Sequence, residues 1–357
     1  MNADGPNRRK ANAAGGRAFR VAVRLGAASH AVRTRLARSW NFVPQVVAYP
    51  SYGTTNRVRV LGRVLLASPV HGANRGLRGA PAGTENIRGW RAFTGVPIQN
   101  SPVDIEIGGT VHQVHADPGG LVDTVIDVQL GPGWQTAVLR APGTAAVEAP
   151  VFVVSPATGL GIVSDIDDTV MVTALPRPLL AVWNTFVLSE RARTPTPGMA
   201  VLMDRLFIEH PKMPVIYLST GPWNAAPAIA RFLARNLYPA GTLLLTDWGL
   251  TQDRWFRSGV EHKQHNLERL ATEFPGVRWI LIGDDGQHDE GIYARFCRLR
   301  PDHVAAVVIR QLSPSEAVLA GGRAHDRAIA GAASAAPWIY APDGAEAARQ
   351  LKNLGLI

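Results

Sequence analysis

An all-β, sandwich-like region followed by an α/β region built on a parallel sheet is the fold class that the sequence predicts, and three observations predict it. Between residues 43 and 155, short runs rich in β-branched residues are separated by Gly, Pro, Asp or Asn and recur about every ten residues. From Gly161 onward, short runs that are apolar throughout alternate with helical segments, the pattern of strands buried on both faces of a sheet. The 357 residues are 46% apolar and 18% charged, with nine Trp and ten Phe, which is enough to bury the cores of about two domains.

Residues 1–16 are Gly, Asn, Ala and basic residues with little to bury, and are expected to form a disordered basic tail. A helical period then runs through residues 17–40. Val21, Leu25, Ala28, Val32 and Leu36 form an apolar stripe, while Arg17, Arg20, Arg24, Arg35 and Arg38 lie largely off it. Two readings stand for this basic amphipathic helix: it lies on an anionic membrane surface, or it docks on its own protein with the arginines in water. The charge is concentrated here. Of 37 basic and 28 acidic residues, 9 and 1 fall in residues 1–40, leaving 28 and 27 for the rest. A body so nearly neutral lacks the basic stripe of a nucleic-acid enzyme, and no nucleic-acid partner is expected.

Within 43–155, strands are expected at 58–68, 103–109, 110–116, 121–130, 134–140 and 147–155, with a longer, partly helical crossover through 83–93. No constellation for chemistry stands out there, so a binding or scaffold role is expected. In 161–357, strands are expected at 161–165, 214–220, 241–247, 278–285, 304–310 and 337–342, with helices through 228–238, 265–274 and 291–299. The single cysteine, Cys297, excludes an intramolecular disulfide and a cysteine-based zinc site, and is expected in a buried helix. No apolar run is long enough to span a membrane and the N-terminus lacks a secretory apolar core. The expected location is cytoplasmic, with peripheral attachment at the inner membrane surface through residues 17–40.

In a parallel sheet covered by helices, ligands bind beyond the carboxyl ends of the strands, and the polar clusters fall there. Asp165, Asp167 and Asp168 put three carboxylates in four residues at a strand end. Such a cluster is costly unless a cation offsets the repulsion, and hard oxygen ligands suit Mg²⁺. An acidic turn capping a helix is the alternative. Ser219 and Thr220 end the next strand, ahead of Gly221, Pro222, Trp223 and Asn224. A hydroxyl near free N–H groups at a helix start binds phosphate oxygens, or simply caps the helix. Lys263 follows in a helical segment, and Asp284, Asp285 and Asp289 follow the most apolar strand. In this order the groups make up Mg²⁺-assisted phosphoryl transfer through an aspartyl-phosphate. His262, His265 and His288 have no metal-ligand spacing.

The order Asp-x-Asp-x-Thr at 165–169, Ser219, Lys263 and Gly-Asp at 283–284 resembles the haloacid-dehalogenase superfamily of phosphohydrolases over about residues 161–310. More narrowly, residues 164–170, 217–224, 262–263 and 281–293 are similar to the catalytic domain of actin-patch-type phosphatidate phosphatases, a lipin-like branch with bacterial members. Gly221 and Asp285 depart from that branch, many of whose members carry Ser at both places. The resemblance implies a Rossmann-like sheet of the haloacid-dehalogenase type with a small cap, and a catalytic domain over 161–357. It implies Asp165 as nucleophile and Mg²⁺ ligand, and Asp167 as acid and base and as a further residue of the metal site. Thr169 would orient the loop, Ser219 and Lys263 would neutralise phosphoryl oxygens, and Asp284 would complete the metal site. Asp285 or Asp289 would hold metal-bound water, with no order between them.

The segment between the first two motifs is too short for a large cap, and an open site would admit a phospholipid at a bilayer. Leu179, Leu180, Val182, Trp183, Phe186, Val187 and Leu188 would contact acyl chains or pack on the sheet. Arg257, beside Trp255 and Phe256, is a further candidate phosphate contact, with Ser219, Thr220 and Lys263. The expected activity is hydrolysis of phosphatidate to diacylglycerol and phosphate. The alternatives are the same chemistry on a soluble phosphate monoester and an inactive phosphatase-like binding module. Nothing in the sequence bears on oligomeric state.

Overall fold

The structure, a computed structural model, describes residues 32, 34–37, 39–68, 95–172, 194–246, 252–286, 288–319 and 336–357. The expected tail, the crossover through 83–93 and the apolar run 179–188 lie outside these residues, as does most of the basic helix. Of that helix, residues 32, 34–37 and 39 are helical. Its stripe residues Val32 and Leu36 are 59% and 47% exposed, whereas Ala37 packs with Leu66 and Val96. At these positions the apolar stripe does not face the rest of the described chain.

The β-rich region contains β1 (Val43–Thr54), β2 (Arg57–Ala67), β3 (Val96–Pro97), β4 (Pro102–Ile107), β5 (Thr110–His115), β6 (Leu121–Asp127), β7 (Gly133–Arg140) and β8 (Val147–Val153). Their pairing makes one hydrogen-bonded sheet in the order β3-β2-β1-β8-β7-β4-β5, with β6 also paired to β2. This corrects the expected sandwich: a single sheet curls around its own core instead of two separate sheets stacking. Strand β2 shows how. Val58, Val60 and Val64 point into the curl, and Leu61 and Leu65, on the opposite pleat, point out of it. The strand therefore serves two cores.

Strand β1 was not expected, because Pro44, Pro50, Ser51 and Gly53 read as turn residues. A register shift between Tyr49 and Tyr52 absorbs that stretch. The extra residue turns Tyr49 and Tyr52, three apart, toward the same core.

The second region contains β9 (Leu160–Ser164), β10 (Met171–Val172), β11 (Thr194–Pro195), α1 (Met199–Glu209), β12 (Val215–Pro222), α2 (Ala226–Arg235), β13 (Thr242–Thr246), α3 (Gln252–Glu273), β14 (Arg278–Asp284), α4 (Asp289–Leu299), β15 (Val304–Arg310), α5 (Pro314–Leu319), β16 (Trp338–Ala341) and α6 (Gly344–Asn353). Strands β13-β12-β9-β14-β15-β16 form a six-stranded sheet, and every adjacent pair is parallel. The chain is thus mixed α/β, with one mainly antiparallel sheet, one parallel sheet and the short antiparallel pair β10-β11. The strand order reverses at β9, which lies between β12 and β14, so a crevice forms at their carboxyl ends. Gly161 permits the close packing at the start of β9, since a Cβ there would meet the buried Trp279 ring at 2.5 Å.

The two sheets share a core. Val47, Tyr49, Tyr52, Leu61, Leu65 and Phe152 pack in one cluster with residues of β9, β12, β13 and β14. Cys297 is buried in α4, as expected. Among the described residues, no helix is long and apolar enough to cross a membrane.

Candidate active site

Three strand ends converge in the crevice. Asp165 follows β9, and its amide donates to the Ile282 carbonyl of β14 at 2.8 Å, which ties the two strand ends together. Asp284 ends β14, and Asp289 opens α4. Carboxylate oxygens of Asp165, Asp284 and Asp289 all lie within 4.8 Å of one another, and all three residues are buried. Lys263 sits between two of them, donating to Asp165 Oδ1 at 2.7 Å and to Asp289 Oδ1 at 2.5 Å. It lies in the middle of α3, which begins well before the helix expected from residue 265, and it is buried rather than solvated.

The electrostatics follow from burial. Desolvation raises Asp165 well above the usual carboxylate range. The Lys263 ammonium opposes this, while Asp289, Asp284 and Asp167 add to it. Burial alone would lower Lys263, but Asp165 and Asp289 outweigh it and hold the ammonium above its ordinary value. Three buried carboxylates against one ammonium leave an excess of negative charge, and an all-oxygen donor set of this kind suits a divalent cation. His262, next to Lys263, is pulled down to about 4, chiefly by burial, so it is neutral at pH 7.

Gly283 makes the arrangement possible. A Cβ there would lie 2.6 Å from Asp289 Oδ2, so only glycine lets the aspartate approach the strand. Tyr293 backs the same place, its hydroxyl donating to the Ile282 carbonyl at 2.9 Å.

Asp167 stands outside the triad. It is partly exposed, and Ser219 Oγ donates to its Oδ2 at 3.1 Å. Thr169 Oγ1 donates to Asp165 Oδ2 at 3.3 Å. Asp168 adopts a left-handed conformation with φ of 58°, and its carbonyl accepts from buried Arg310 at 2.8 Å. The next described element is strand β10, so this acidic turn caps no helix among the described residues.

Ser219 and Thr220 sit where β12 loses register with β13. Ser219 Oγ accepts from the Gly221 amide at 2.9 Å, and Thr246 Oγ1 donates to the Thr220 carbonyl at 2.8 Å. Helix α2 takes Ala225 as its N-cap with no side-chain bond, so neither hydroxyl serves as a helix cap.

The structure separates the two aspartates that the sequence left unordered. Asp289 joins the triad, whereas Asp285 Oδ1 accepts from the Leu312 amide at 2.8 Å. Arg257 lies in the first part of α3, and its side chain is outside the described residues. Sequence reading missed Thr246, Tyr293 and Arg310, and met Gly283 only as part of the Gly-Asp motif, without its packing role. Of the three missed residues, Arg310, a charge ending a wholly apolar strand, left a visible signal.

Residues 160–311 match the family model of the catalytic domain of the phosphatidate phosphatase APP1. This segment is similar to APP1-type catalytic domains. Phosphatidate phosphatase APP1 of Saccharomyces cerevisiae is 25% identical over 167 residues, which are 46% of this chain and 28% of that protein. An uncharacterized protein of Schizosaccharomyces pombe is 24% identical over 158 residues, 43% of this chain and 25% of that protein. The chain therefore aligns with about a quarter of the length of each curated relative. Among solved structures, a carbohydrate acetylesterase from Xanthomonas citri is similar at 12% identity, covering 84% of this chain and 68% of that one with a TM-score of 0.30. That score carries no argument about fold or function. All four acidic and basic groups that meet in the crevice fall inside the APP1-type segment.

Proposed function

We propose that the protein is a Mg²⁺-dependent phosphatidate phosphatase that hydrolyses its substrate through an aspartyl-phosphate on Asp165. The observation that carries this reading is the buried meeting of Asp165, Lys263, Asp284 and Asp289 within the APP1-type segment. The parallel sheet is read as haloacid-dehalogenase-like, with residues 43–155 and 161–357 as two units sharing a core.

Asp165, Asp284 and Asp289 would hold the cation. When bound, Mg²⁺ would offset the carboxylate repulsion, favour ionised Asp165 and neutralise phosphoryl oxygens. A carboxylate oxygen of Asp165 attacks phosphorus while the ester oxygen leaves. Asp167, partly exposed beside the crevice, gives that oxygen its proton and then takes one from the water that cleaves the acyl phosphate. Ser219, bonded to Asp167, and Lys263 would steady the phosphoryl oxygens. Thr169 keeps the Asp165 carboxylate oriented. Thr220 and Arg257 remain proposed substrate contacts, and Asp285 orders the loop after β14.

Diacylglycerol phosphate presented at a bilayer is the proposed substrate. The net +8 of residues 1–40, with Val32 and Leu36 exposed, supports peripheral docking on an anionic surface from the cytoplasmic side.

The deciding assay measures phosphate release from phosphatidate in mixed micelles, with Mg²⁺ and with excess chelator, for the wild type and Asp165→Asn. Turnover that needs Mg²⁺ and falls at least about 10³-fold in the variant is expected. Turnover confined to short soluble phosphate esters would reassign the substrate. Full activity in chelator would overturn the metal site.

A further inference from the structure

The curled sheet supplies none of the groups assigned above, yet its strand β2 reaches two of the elements that carry them. Arg59, Leu61, Arg63 and Leu65 share the pleat of β2 that faces the parallel sheet. The two leucines sit in the shared core, and both arginines are buried beside them. Arg63 Nη1 donates to Asn224 Oδ1 at 2.5 Å, and its Nε donates to the Gly119 carbonyl at 3.0 Å. Asn224 belongs to the single turn Trp223–Ala225 that directly follows β12 and its Ser219. On the same turn, Trp223 stacks on Tyr49 of β1 with ring centres 4.7 Å apart.

Arg59 does the equivalent for α3. Its Nε and Nη2 donate to the Asp123 carboxylate, while Nη1 donates to Tyr52 Oη at 3.2 Å and to Asn266 Oδ1 at 3.4 Å. Asn266 lies one helical turn beyond Lys263. Leucines suffice to join two layers. Buried guanidinium groups are costly unless fully bonded, and what they add is direction.

We propose that β2 is a positioning part of the catalytic centre. Arg63, acting through Asn224, fixes the turn that presents Ser219 to Asp167. Besides the Trp223 stack, two sets of side-chain hydrogen bonds from other elements hold the turn: first, Thr246 bonds the carbonyls of Thr220 and Gly221, and second, Arg63 bonds the side chain of Asn224. Releasing the second set lets Ser219, bonded to Asp167 at 3.1 Å, drift from the reacting phosphoryl group. Misplacement of about 1 Å at such a site costs up to about 10²-fold in rate. Arg63 touches no reacting atom, so it is a positioning residue. This inference rests on the phosphatase reading.

The test compares Arg63→Gln, Asn224→Ala and the double variant on p-nitrophenyl phosphate with Mg²⁺, with Arg57→Gln as control. Arg57 lies on the same strand but pairs with Asp127 at the exposed surface. Each single variant is expected to lose about tenfold in kcat with KM within about twofold, and the double variant to lose no more than either single one. Arg57→Gln keeps the wild-type kcat. A merely structural bond would lower the melting temperature and leave kcat per folded molecule unchanged. If Arg63→Gln does not fold, Asn224→Ala, altered at a half-buried turn, decides by the same kcat criterion. An active wild type whose variants keep kcat within about twofold, or whose losses multiply in the double variant, would overturn this inference alone. A wild type inactive on both p-nitrophenyl phosphate and phosphatidate would overturn the phosphatase reading and this inference with it.

Discussion

Replacing Gly283 with alanine probes the acidic site by adding one methyl group. The new Cβ would lie 2.6 Å from Asp289 Oδ2, 2.8 Å from Asp289 Cβ and 2.8 Å from Tyr293 Cε2. Ordinary contact begins near 3.4 Å, so the aspartate must withdraw by about 0.8 Å. Strand β14 cannot supply that movement, because it is bonded to β9 on one side and β15 on the other. Tyr293 cannot either, since its ring is buried and its hydroxyl is bonded to Ile282. The shift therefore falls on Asp289. It stretches the 2.5 Å contact with Lys263 and moves one triad oxygen by about four times the roughly 0.2 Å tolerance of a metal–ligand distance. Overpacking of this kind costs about 1–3 kcal/mol. A lower melting temperature and Mg²⁺ binding weakened at least about tenfold by isothermal titration are expected. Gly276→Ala is the control, because nothing lies within 4 Å of its Cβ. Wild-type Mg²⁺ affinity together with a melting temperature within about 1 °C would refute the reasoning.

Two further outcomes are expected. His262 has a folded pKa of about 4, below its unfolded value, so its contribution to stability is present above about pH 6.5 and is lost as pH falls toward 4. That loss amounts to about 3 kcal/mol at most, and His262→Gln should flatten the decline in melting temperature between pH 7.5 and 4.5, which parallel curves would contradict. Deleting residues 1–40 removes +8 of the net +9, so sedimentation with anionic liposomes should fall, most clearly at low salt, while turnover of a soluble ester persists. Equal binding by both proteins would show that the segment is no anchor.

The sequence alone determined the parallel-sheet strands and where the chemistry sits, because runs such as 278–284 and 304–310 are too apolar for anything but burial on both faces. The acidic and hydroxyl residues therefore had to fall at strand ends, and the motif order was legible for the same reason. Strand β1 was not legible: its prolines and Gly53 mark turns locally, and only the bulge and the core beneath Tyr49 and Tyr52 make it a strand. The curl of the first sheet was equally hidden, since alternation tells which residues face inward but not whether one sheet or two close over them. Asp285 and Asp289 are chemically alike in sequence. What separates them is that the Leu312 amide draws Asp285 to the loop after β15, whereas Lys263 and Gly283 draw Asp289 into the triad. Lys263 and Leu312, 26 and 27 positions away from the aspartates they bond, decide between them, and long-range contacts of that kind exist only once the chain has folded.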